Sequence, residues 1–106
     1  MRNYSKPVRK LIREYAGLAY ERELVAELGK LADRVNAWKQ GEISPWELND
    51  DIWKYVKGPQ REMWKKYTNK DFLDLVVARA ITDGFLKREE VPGDVLESID
   101  DLIKLP

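Results

Sequence analysis

The chain contains neither histidine nor cysteine, so the two side chains that most readily do acid-base or nucleophilic work near neutral pH are absent. Carboxylates would have to carry such chemistry, and they occur as sequence neighbours: Asp50 with Asp51, Glu89 with Glu90, and Asp100 with Asp101. On a helix adjacent residues diverge by about 100°, so these pairs point into different sectors of solvent instead of converging on one substrate atom. Neither His-x-x-x-His, Glu-x-x-His nor an acidic calcium loop occurs, and there is no glycine-rich phosphate loop or G-x-S-x-G turn. The residues therefore read as a binding protein, not an enzyme, with no catalytic group, no metal ligand set and no cofactor.

Binding chemistry is concentrated between residues 46 and 67. This stretch holds three of the four tryptophans, Tyr55 and Tyr67, and the bases Lys54, Lys57, Arg61, Lys65 and Lys66. Large aromatics beside lysine and arginine are what protein contact surfaces use. On a helix Leu48, Ile52 and Tyr55 form one stripe, while Trp46 and Trp53, with Val56 at the flank, lie about 100° or more away. A single core readily buries only one stripe. The expected contact face is Trp46, Asn49, Trp53, Val56, Lys57, Gln60 and Trp64, with Asn49, Lys57 and Gln60 as its polar rim and Trp53 as its principal anchor. The alternative is that Trp46 and Trp53 are sandwiched into the core and the bases are a solvated face. Trp38 is assigned to the core. Charge is uneven along the chain: residues 52–70 carry six bases against one acid, whereas residues 83–104 carry seven acids against three bases. Such asymmetry can steer a charged partner or orient two copies of the chain.

The elements that must position this face are helical throughout, since no segment sustains the alternation of a strand. Ser5 and Pro7 start a first helix that meets no proline or turn cluster before Trp38. Its apolar stripe changes side: Val8, Leu11, Tyr15 and Leu18 follow one face, and Leu24, Leu28, Leu31, Val35 and Trp38 another. The helix therefore either breaks near Gly17 or packs its ends against different elements. Unbroken, it would be about 48 Å long against a radius of gyration near 13 Å for a compact domain of this size, which suggests a protruding arm or a dimer. After Gly41, Ser44-Pro45-Trp46-Glu47 reads as a capping box opening a second helix, with Ile43 and Leu48 in staple positions. That helix is expected to end at Gly58, and Pro59 to open a third, running to about Tyr67. A fourth, from Lys70 to Thr82, is apolar around most of its circumference through Phe72, Leu73, Leu75, Val76, Val77, Ala80 and Ile81, and so should be central. Gly84 closes it, with Phe85 and Leu86 folding back. Asp94 and Glu97 read as the capping box of a fifth helix with Val95, Leu96, Ile99, Leu102 and Ile103 inward. The expectation is an all-α domain spanning residues 1–106, with one long N-terminal helix and four shorter ones in an orthogonal, irregular bundle.

Composition agrees with that class. The 106 residues are 43% apolar and 36% charged, with 19 basic and 19 acidic side chains, as in a globular helical domain with solvated outer faces. Zero net charge argues against an unspecific nucleic-acid binder. The polar start, Met1–Lys6, lacks the apolar stretch of a signal peptide, and the strongly apolar run Leu75–Ala78 is too short for a bilayer, so the expectation is a cytoplasmic protein with no membrane partner.

Tyr20-Glu21-Arg22-Glu23-Leu24, Trp38-Lys39-Gln40-Gly41-Glu42-Ile43-Ser44, Glu47-Leu48-Asn49-Asp50 and Gly58-Pro59-Gln60-Arg61-Glu62 together resemble a family of small uncharacterised bacterial helical proteins, over nearly the whole chain. The resemblance implies a helical fold and no assigned activity. The family pattern places histidines where Trp53 and Val56 stand here and an acidic or amide residue where Lys57 stands. Those replacements would erase any site the family had and install an apolar patch, as expected of a natural scaffold whose surface was engineered to bind a chosen protein. The expected partner is accordingly another protein, or a second copy of this chain meeting it through a homodimer seam. A helix-turn-helix nucleic-acid binder, with Gly58-Pro59 as its turn, is the remaining alternative.

Overall fold

A computed structural model describes residues 1–106. Helix α1, Lys6–Lys39, starts where Ser5 Oγ accepts the Val8 N–H at 3.4 Å and proline occupies the first turn. It passes Gly17 and Gly29 without a break. At 1.5 Å per residue its 34 residues make a rod of about 51 Å, which sets the 53 Å longest dimension and the 17.0 Å radius of gyration.

The change of side along α1 divides the rod's work. In the N-terminal half Val8, Ile12, Ala16 and Ala19 are buried, and nothing beyond Ala19 is. Leu11, Tyr15 and Leu18, the stripe expected from the sequence, flank this line and are partly buried. The small Ala16 and Ala19 mark the closer approach, because a helix packed on two neighbours contacts them through short side chains. The C-terminal half turns Leu24, Leu31 and Val35, all partly buried, toward helix α2, Pro45–Tyr55. Trp38 does not join the core: at the last turn of α1, at the arm's tip, it remains 41% exposed.

Helix α2 opens as its sequence requires, with Ser44 Oγ accepting the Glu47 N–H at 3.1 Å. It does not end at Gly58. The backbone stays right-handed helical through Val56 (φ −63°, ψ −43°) and Arg61 (φ −66°, ψ −43°), and a π turn, Val56–Gln60, joins it to helix α3, Arg61–Thr68. Pro59 has no N–H to donate, and the wider turn absorbs the missing bond. The extra residue also sets the following side chains back by about 100°. That rotation brings Met63 and Tyr67 onto the line of Leu48 and Tyr55, and both are buried. The turn a helix-turn-helix motif needs is thus replaced by a continuous helical segment.

Helices α4, Leu73–Asp83, and α5, Gly93–Ile103, close the core against the N-terminal half of α1. In α4 Leu73, Val76, Val77, Ala78 and Ala80 are buried, so it is central. Phe72 is not part of it: a 3₁₀ turn, Lys70–Phe72, capped by Asn69, precedes α4 and leaves Phe72 54% exposed. Gly84 takes φ +86°, which lets the Phe85 N–H reach back to the Ala80 carbonyl at 2.9 Å and buries Leu86. Helix α5 begins two residues earlier than its sequence suggests, with Pro92 in place of Asp94 at the cap position; Asp94 lies inside the first turn, Oδ1 accepting the Val95 N–H. Its inward face is Val95 and Ile99. Buried Asp74 is satisfied by the Tyr4 hydroxyl at 2.8 Å and the Leu75 N–H at 2.9 Å. The chain forms no strand, and no helix is long and apolar enough to cross a membrane.

Candidate functional site

The arm formed by α1, α2 and α3 has two chemically different sides. On one, Arg34 of α1 bonds Asp51 of α2 at 2.6 Å and Lys66 of α3 bonds Glu23 of α1 at 2.8 Å. These pairs fix which flank of each helix faces which. On another, Val56 of the π turn and Trp64 of α3 meet Tyr20 of α1; Val25, Leu28, Ile52 and Trp53 are further exposed apolar side chains of the arm. The indoles are open to solvent: Trp46 is 82% exposed, Trp64 61% and Trp53 55%.

The segment carrying the aromatics is rigid by construction, because it is one helical run pinned to α1 by Leu48, Met63 and Tyr67. Tyr67 stacks on Tyr20 with ring centroids 4.6 Å apart and donates its hydroxyl to Glu23 at 2.5 Å. Burial and that carboxylate both push the Tyr67 hydroxyl pKa above its ordinary range, so it stays a donor. Beside this stack an open groove of about 410 Å³ is lined by Tyr20, Val56, Lys57, Gln60, Arg61 and Trp64. Lys57 Nζ lies 5.1 Å from the Trp53 ring centroid, which holds the ammonium over the indole face.

Of the seven residues expected from the sequence, Val56, Lys57, Gln60 and Trp64 meet in the groove and Trp53 borders it through Lys57. Trp46 and Asn49 extend the face along α2 toward the tip; Trp46 lies about 27 Å along the helix from Trp64. Tyr20 and Arg61 also line the groove and were missed. Arg61 sat inside the aromatic-basic window and could have been chosen for its charge. Tyr20 carries no local signal, since only the packing of α1 on α3 and the π turn brings it there.

The paired carboxylates do other work. Asp51 holds Arg34, Asp101 bonds Arg2 at 2.6 Å, and Asp100 bonds Lys104 at 2.8 Å. Glu90 takes Arg22 through both oxygens, at 2.7 and 2.8 Å, while its side chain also accepts the Lys87 N–H. The guanidinium first, and that backbone donor second, hold the Glu90 carboxyl down to about 2. Except for Asp100–Lys104, one turn apart at the end of α5, these are ties between elements: Arg22 and Glu90, for example, fasten α1 to the connection before α5. What the helical pair presents is a set of exposed tryptophans, with Lys57, Gln60 and Arg61 beside Trp53 and Trp64. No protein-family model, curated protein or solved structure matches this chain.

Proposed function

We propose that the chain is a non-enzymatic, protein-binding helical domain that docks another protein through Trp46, Asn49, Trp53, Val56, Lys57, Gln60 and Trp64. One observation carries this reading: three indoles stand more than half exposed along one continuous helical segment. At roughly 200 Å² per ring, they leave on the order of 400 Å² of aromatic surface in water, as large as the apolar patches that mark contact sites on soluble proteins. Asn49, Lys57 and Gln60 border the indoles as a polar rim borders an interface core. The reading includes an engineered origin for the face, with Trp53, Val56 and Lys57 standing where the resembled family has histidines and an acid or amide.

A photoreactive amino acid placed at Gln60, with Glu97 on α5 as the control position, tests the assignment. The expected result is one protein captured in high yield from Gln60, absent from Glu97, and lost when Trp53→Ala is added. Identical products from the two positions, or capture indifferent to Trp53, would reject it.

A further inference from the structure

Resting on that face, we propose that the free chain closes it against a second copy of itself, antiparallel along α2 and α3 about a two-fold axis at Trp53. The charge order of the segment supplies the complementarity. Residues 42–51 carry Glu42, Glu47, Asp50 and Asp51 and no base, whereas residues 54–66 carry Lys54, Lys57, Arg61, Lys65 and Lys66 against Glu62 alone. Laid antiparallel, the acidic end of one copy meets the basic end of the other; laid parallel, like charges face each other.

The helical rise fixes the register. Asp50 lies three residues before Trp53 and Lys57 four after, about 4.5 Å and 6 Å along the axis. A two-fold axis through Trp53 therefore sets Asp50 of one copy opposite Lys57 of the other, and repeats the contact by symmetry. Neither side chain makes an ion pair within the chain, unlike neighbouring Asp51 and Lys66. Trp46, seven residues before the axis, falls opposite Gln60 and Arg61 of the second copy, where a guanidinium can lie over the indole. The exposed indoles supply about half of the roughly 800 Å² per partner that a stable interface buries. The macrodipole of α2 accounts for Glu47 in its first turn, but not for an unpaired acid and base placed symmetrically about an exposed tryptophan.

Sedimentation equilibrium of the purified chain, from micromolar to millimolar, tests this without any partner. The expected result is a reversible monomer–dimer equilibrium. Asp50→Lys and Lys57→Asp should each weaken it at least about tenfold, and the doubly reversed chain should regain most of the loss, with helicity unchanged throughout because both positions are exposed. A monomer at every concentration, a dimer indifferent to Trp53→Ala, or a double variant no better than the singles would overturn the proposal. The contact-face reading fails separately: a monomeric chain that still cross-links a different protein from Gln60 loses only the self-pairing.

Discussion

Replacing Trp53 by alanine should separate association from folding, and the structure sets the size of both effects. The side chain is 55% exposed, so of roughly 200 Å² about 110 Å² is open to a partner and about 90 Å² already rests on the chain. At about 25 cal/mol/Å² the open part is worth about 2.5–3 kcal/mol when a partner covers it, a loss of about a hundredfold in affinity. In a symmetric dimer the ring is lost on both copies, so the dissociation constant should rise by about ten thousandfold. Folding should suffer less. The covered part sets an upper bound of about 2 kcal/mol, lowered because an unfolded chain also shelters part of its tryptophans and because alanine gains about 0.5 kcal/mol in helix propensity. Met63, 3% exposed, is the comparison: Met63→Ala should cost about 2–5 kcal/mol of stability. Urea denaturation monitored by circular dichroism gives the folding term, and sedimentation equilibrium, together with titration of any partner captured at Gln60, gives the association term. If Trp53→Ala destabilised the fold as much as Met63→Ala and left association unchanged, the indole would be a core residue and the reasoning from exposure would be refuted.

Four further outcomes test the architecture beneath the face. Gly17→Ala should stabilise the chain by about 0.5–1 kcal/mol in thermal melts, since α1 runs through it unbroken, it is exposed, and a Cβ would meet nothing within 4 Å; a loss of stability would mean that the helix breaks there. Gly84→Ala should instead cost about 1 kcal/mol, because φ +86° strains any side-chain-bearing residue whatever the space around it. Ile12→Ala, at a fully buried position, should cost about 2–5 kcal/mol, and Leu28→Ala, 44% exposed, markedly less. Glu90 links stability to pH: its carboxyl is held down to about 2 from an ordinary value of 4.5, so its contribution is fully present above about 4.5 and is lost as pH falls toward about 2. Urea midpoints measured from neutral pH downward should therefore fall in acid, and Glu90→Gln should flatten part of that decline; Asp100 and Asp101, also held below their ordinary value by Lys104 and Arg2, account for the rest.

Local chemistry made much of this molecule legible before its fold was known. Ser5 with Pro7, Ser44 with Pro45, and Gly84 mark helix ends because capping acts within one turn, so the residues that decide it are sequence neighbours. The change of apolar side along α1 announced that its halves pack on different elements, and the two competing stripes of α2 announced that one would be left outside. The sequence could not say which stripe wins, nor that α2 runs on through Gly58 and Pro59. A proline after a glycine reads as a stop, and only the demand that Met63 and Tyr67 reach the same core as Leu48 favours the wider turn that keeps the helix going. Trp38 shows the converse error: its place in a regular apolar pattern suggested burial, but no element extends to the tip of the arm to cover it. Tyr20 joined the groove beside Trp64 for a reason no window of sequence contains. The Arg34–Asp51 and Lys66–Glu23 pairs, each between residues far apart along the chain, fix how the helices are rotated against one another. Periodicity specifies which residues share a side of one helix; which side meets which neighbour is decided by long-range packing, and that rotation put the indoles in water.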